Sequence, residues 1–117
     1  MRDDRLFLAD ILDAISRIEK YSSADRSAFD SDELLQIWMI HHIQTIGEAV
    51  NRLSNELKSA HPEVPWSLIV GMRNILIHAY FGVDLEAVWS AVQNDVPRLK
   101  SQILAIQQSQ TTKEPPP

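Results

Sequence analysis

The stretch Pro65-Trp66-Ser67-Leu68-Ile69-Val70-Gly71-Met72-Arg73-Asn74-Ile75-Leu76-Ile77-His78-Ala79-Tyr80 decides how the rest of the chain is read. Pro65 suits a helix start, where the first N–H groups lack intrahelical partners and a missing donor costs nothing. Leu68, Ile69, Met72, Leu76 and Ile77 recur at three- and four-residue spacing, which predicts a helix with a buried apolar stripe. Against that stripe stand Arg73, Asn74, His78 and Tyr80. Burying such groups without partners is costly. Either they satisfy one another in an internal network, or they line a cleft shared with something else.

The flanking segments read as further helices. Toward the N-terminus, Leu8, Ile11, Leu12, Ile15 and Ile18 form one stripe, so the first helix should open at Asp3 or Asp4 and run to about Tyr21. Residues 22–29 read as a polar loop. Asp30, with Glu33 three residues on, then reads as a helix cap. The helix that follows should reach about Lys58 along Leu35, Trp38, Met39, His42, Ile46, Ala49, Val50, Leu53 and Leu57. Leu34, Ile37 and His41 lie at the edge of that face. Gly47, worth about 1 kcal/mol less than Ala in a helix interior, leaves room for close packing, a slight bend or a dimer contact. His61-Pro62-Glu63-Val64-Pro65 turns the chain into the central helix.

Beyond Tyr80, Gly82 can end that helix and Asp84 can cap the next. Leu85, Val88, Trp89, Val92, Val96, Leu99, Ile103 and Ile106 give the last helix its stripe. Pro97 should kink it near Gln93 or break it around Asp95. From Gln107 the chain turns polar and ends in prolines. The expected organisation is one helical domain over 1–106 and a disordered tail over 107–117. The fold class is all-α: an antiparallel four-helix bundle, or five helices with a break near Pro97, with apolar surface left for a two-fold homodimer to cover.

Composition narrows the function. The 117 residues carry a net charge of −5 and no cysteine. Disulfide and thiolate chemistry are absent, which is compatible with a cytoplasmic location. No run approaches the roughly 18 apolar residues of a membrane span, and the N-terminus lacks the apolar core of a signal peptide. An acidic balance argues against a broad nucleic-acid surface but not against a focused site.

Asn74 and His78, four apart, share a helical face, so the amide can orient the imidazole. Arg73 and His78 lie about 140° apart on an ideal helix. They meet only if the last turn loosens or if two subunits share a cleft. The adjacent His41 and His42 diverge and no His-x3-His pair exists, so zinc and other cofactors are poorly supported. An imidazole near a guanidinium fits metal-free phosphodiester cleavage: His78 moves a proton and Arg73 neutralises the phosphate. RNA brings its own nucleophile, the 2′-hydroxyl. The same residues also fit a structural hydrogen-bond network. Arg5, Arg17, Arg26, Arg52 and Arg98 are candidates for a basic rim, or ordinary solvated charges.

Arg73-x4-His78-x-Tyr80 resembles the motif of the HepT-like (DUF86) toxins of the HEPN superfamily. Ile46-Gly47-Glu48-Ala49, Pro62-Glu63-Val64-Pro65-Trp66, Gly71-Met72-Arg73-Asn74, His78-Ala79-Tyr80-Phe81 and Val83-Asp84 through Val88-Trp89 follow the same family pattern in order. The resemblance spans roughly Arg2 to Ile106. It implies a homodimeric, metal-independent endoribonuclease and the toxin of a type VII-like toxin–antitoxin system. Catalysis would use Arg73, His78 and Asn74. A partner nucleotidyltransferase, the MntA-type antitoxin, would silence it by AMPylation of Tyr80. The competing expectation is a non-catalytic helical dimer that binds a nucleotidyltransferase partner or nucleotides.

Overall fold

A computed structural model describes residues 3–71 and 84–113. Among them every regular element is helical and no strand occurs. The first helix, α1 (Asp4–Glu19), opens on Asp3, whose side chain accepts from the Arg5 N–H at 2.9 Å. It buries Phe7, Leu8, Ile11, Ala14, Ile15 and Ile18, with Leu12 at the margin.

The segment expected to be a loop contains a short helix, α2 (Arg26–Ser31). Asp25 caps it by accepting from the Ala28 N–H at 2.7 Å. Phe29, its single buried residue, packs on Trp89 with ring centroids 5.4 Å apart. One anchor in six residues leaves no periodicity to detect. Because α2 occupies Asp30 and Ser31, the cap of the next helix moves from the expected Asp30 to Asp32, which accepts from the Leu35 N–H at 3.1 Å. Asp30 instead pairs with Arg26 at 2.9 Å. The Gln36 amide donates to the Phe29 and Asp30 carbonyls, so the end of α2 is satisfied from the next helix.

Helix α3 (Glu33–Arg52) stops six residues short of the expected Lys58. Leu53 is extended and buried, and a separate helix, α4 (Asn55–Ala60), starts on the Ser54 cap. The break is held from a distance. The Asp4 carboxylate accepts from the Ser54 N–H at 2.8 Å and from its hydroxyl at 2.6 Å, 50 residues away in sequence. At the opposite end of the pair, the Trp38 indole N–H donates to the Arg17 carbonyl at 2.9 Å. The start of α1 thus meets the end of α3, and the reverse, so the two helices run antiparallel. They form the main packing pair of the core.

The Val64 side chain is buried in the turn, and helix α5 opens at residues 66–71. Helix α6 (Leu85–Ser90) begins on Asp84, which accepts from the Ala87 N–H at 3.1 Å, as its position predicts. A π-helical stretch, Ala91–Asp95, leads from α6 into α7 (Val96–Lys113). The irregularity expected from Pro97 is therefore a widened turn. The Val96 N–H reaches back to the Ala91 carbonyl just before the residue that has no donor to offer. Helix α7 buries Val96, Leu99, Ile103 and Ile106 and is tied to the end of α1 by Lys100–Glu19 at 2.8 Å. It continues to Lys113, past Gln107, where the disordered tail was expected to start; residues 114–117 lie outside the described residues. Polarity alone does not end a helix whose preceding turns are held by core contacts. Among the described residues, no helix is long and apolar enough to cross a membrane.

Candidate functional site

Arg73, Asn74, His78 and Tyr80 lie outside the described residues, as do Met72, Leu76, Ile77 and Gly82. The structure describes how the chain enters and leaves their segment. On entry, the Trp66 indole N–H is shared between the Lys58 carbonyl at 3.1 Å and the His61 carbonyl at 3.0 Å. Both carbonyls also accept a backbone N–H, from His61 and Val64 respectively, so the indole adds a further bond that ties the end of α4 and the turn beyond it to the start of α5. Ile69 then enters the core at 7% exposure, whereas Leu68, expected in the same stripe, is 74% exposed. On exit, Asp84 caps α6, and Arg26 clamps it to α2 through Glu86 at 3.0 Å with its guanidinium 5.8 Å from the Trp89 ring centroid. Hydrogen bonds to Asp30 first and Glu86 second raise the pKa of Arg26 further above its ordinary value.

The arginines proposed for a basic rim separate into distinct settings. Arg5 is held on Asp3 at 2.7 Å, and that side-chain hydrogen bond lowers the Asp3 pKa. Arg17 pairs with Asp13 at 3.1 Å. Arg26 is doubly paired, as above. Arg52 lines a groove between α1 and α3 with Asp10, Asp13 and Glu48, a setting that repels phosphate. Arg98 differs. It borders a cleft of about 170 Å³ beneath the start of α5, lined by Pro65 and Leu68 on one side and by Asp95, Arg98 and Gln102 on the other.

Asp95, Arg98 and Gln102 were legible as a same-face set, at i, i+3 and i+7 on the last helix. The apolar stripe drew the sequence reading instead. His42 is buried against Trp38, ring centroids 4.5 Å apart, and among the described residues its Nε2 has no hydrogen-bond partner. Burial foremost, then the charges of His41 and Arg17, lower its pKa against a smaller opposing effect of Asp13. It belongs to the core rather than to a reacting centre. Among the described residues, no group of three or more His, Asp or Glu side chains stands close enough to share a metal ion.

Comparison with known proteins supplies the assignment. The model of the ribonuclease HepT-like family matches residues 11–106. A candidate RNase of Methanocaldococcus jannaschii is 36% identical over 103 residues, covering 87% of this chain and 94% of that protein. A probable ribonuclease HepT of Thermococcus cleftensis is 40% identical over 100 residues, with coverage of 85% and 91%. A candidate RNase of Caldanaerobacter subterraneus subsp. tengcongensis is 34% identical over 111 residues, with coverage of 94% and 99%. No solved structure matches the chain. On the span and strength of these matches, the chain belongs to the HepT-like ribonuclease family.

Proposed function

We propose that the chain is a metal-independent endoribonuclease and the toxin of a type VII-like toxin–antitoxin pair. The observation that carries this reading is the family match over residues 11–106, a span that contains Arg73, Asn74, His78 and Tyr80 in motif order. His78 takes the proton of a ribose 2′-hydroxyl, whose oxygen attacks the adjacent phosphorus. The proton taken up by His78 is returned to the departing 5′-oxygen, giving a 2′,3′-cyclic phosphate and a 5′-hydroxyl. Arg73 clamps the phosphate and balances the charge that builds on it. Asn74 orients the His78 ring. Two subunits in a HEPN-type homodimer bring their Arg73 and His78 to one cleft, which resolves the separation of about 140° on a single ideal helix.

Control falls to Tyr80. A partner nucleotidyltransferase of the MntA type transfers AMP from ATP to its phenol oxygen, with release of pyrophosphate. The added negative charge, two residues from His78, repels the RNA backbone. The net charge of −5 favours a second reading, a non-catalytic helical dimer that binds the nucleotidyltransferase or nucleotides without cutting RNA.

One experiment separates the two. Purified protein is incubated with RNA in excess chelator, and the ends of the products are identified. Cleavage leaving cyclic phosphates, reduced at least about a hundredfold in a folded His78→Ala variant, supports the nuclease. Inert wild-type protein that still binds its partner supports the binding module. Intact mass after incubation with the nucleotidyltransferase and ATP tests the switch: mass gained in AMP increments should disappear in Tyr80→Phe.

A further inference from the structure

The cleft beneath α5 points to a chemistry that the reactive residues do not need. Its floor is apolar and belongs to the core: Ile69 is 7% exposed, Val96 3% and Leu99 4%. Leu68, 74% exposed, forms a free apolar wall. Opposite it, α7 places Asp95 and Arg98 at the mouth, with the Gln102 amide held toward the Glu63 carbonyl at 3.4 Å. Among the described residues, no hydrogen bond or ion pair engages the side chains of Asp95 or Arg98, although they are three residues apart. This contrasts with Arg5, Arg17 and Arg26, each already tied to a carboxylate.

The π-helical turn ends on Asp95, immediately before α7, and the residues around that junction, Asp95, Val96 and Arg98, line the cleft together. A phosphate would suit Arg98 but not the neighbouring carboxylate. An apolar ligand would leave both charges unused. A flat ring with donors on one edge and acceptors on the next would engage the carboxylate, the guanidinium and the apolar wall together. At about 170 Å³ the cleft is smaller than the ~300–1,000 Å³ pockets that enclose drug-sized ligands. It has room for a single base, with the sugar and phosphate left outside.

The geometry points to a nucleobase subsite of the RNA substrate, selective for guanine, formed by Leu68, Asp95 and Arg98. Guanine is the base that satisfies both charges. Its O6 and N7 accept from the Arg98 guanidinium, and its N1–H and 2-amino group donate to the Asp95 carboxylate. Leu68 and Pro65 cover the ring face. The subsite rests on the ribonuclease reading for its biological meaning but not for its test. It lies just before the segment that carries Arg73 and His78, so a base held there would set which phosphodiester reaches them.

The test measures binding and cleavage separately. Full-length His78→Ala protein is titrated with short uridine oligonucleotides carrying one central guanosine, 7-deazaguanosine or inosine. Loss of N7 and loss of the 2-amino group should each weaken binding about five- to tenfold. Arg98→Ala should abolish the first discrimination and retain the second; Asp95→Asn should do the reverse. Equal affinity for the three probes, or discrimination that survives in both variants, overturns the subsite. A lower sedimentation mass for Arg98→Ala would make the cleft a contact between two copies and also overturn it. Wild-type cleavage of natural RNA is followed in parallel. Cleavage without base discrimination leaves the nuclease standing and removes the subsite; discrimination without cleavage does the opposite.

Discussion

His42 is an ionisable side chain held where its charge is unwelcome. It is 7% exposed, its ring lies against Trp38 and His41, and its Nε2 has no partner among the described residues. A charged imidazole there would have two N–H donors and no acceptor for one of them. Its native pKa is lowered, chiefly by burial, so the native state resists a proton that the unfolded chain accepts near pH 6.5. Where the unfolded state binds more protons, stability rises with pH. The contribution is therefore complete above about pH 6.5 and is lost as pH falls from there through the native value. Urea titrations of wild type and His42→Leu should diverge as the pH is lowered from about 7.5 to 5, wild type losing stability the faster over the range where histidines titrate. A difference between the two that is constant over this range would mean that His42 accepts its proton within the fold.

The break between α3 and α4 shows what a helix-length element does under a tertiary constraint. Its sequence carries an apolar face on to Leu57, and nothing local stops it except Ser54, a residue tolerated inside helices. The stop comes from Asp4, which takes both the N–H and the hydroxyl of Ser54. Hydrogen bonds to a charged acceptor contribute about 1.5–3 kcal/mol, and both are partly buried here. Asp4→Ala should cost about 2 kcal/mol in denaturant unfolding. The amides of Leu53 and Ser54 should also exchange faster with solvent than those of α3. A loss below about 0.5 kcal/mol would mean that Leu53 burial alone holds the break. The same contrast explains what could be read in advance. The stripes of α1 and α7 and the Asp84 cap are local patterns, repeated or strong enough to recognise. Helix α2 has one buried residue, and the α3–α4 break depends on a partner 50 residues away, so neither leaves a local mark. Arg73, Asn74, His78 and Tyr80 stood out only as polar groups on an apolar helix. Their proposed roles came from the ordered resemblance, because spacing alone fits a structural network equally well.

At the scale of the whole molecule, charge sets how RNA can be held. The net charge is −5, and among the described residues several cations are already engaged: Arg5, Arg17, Arg26 and Lys100 each pair with a carboxylate, and Arg52 shares its groove with Asp10, Asp13 and Glu48. A protein that gripped a long run of phosphates would need those cations free. The proposed site instead uses Arg73 on the scissile phosphate, one from each subunit of the dimer, and gives Arg98 to a base. For single strands the slope of log affinity against log salt is about −0.7 per neutralised phosphate. Binding of RNA by His78→Ala protein should therefore follow a slope between about −1 and −2, and Arg73→Ala should flatten it further while Arg98→Ala leaves it nearly unchanged. A slope near −5 or steeper would require many phosphate contacts. The paired arginines would then have to leave their carboxylates on binding, and the focused cleft would give way to a wrapped surface.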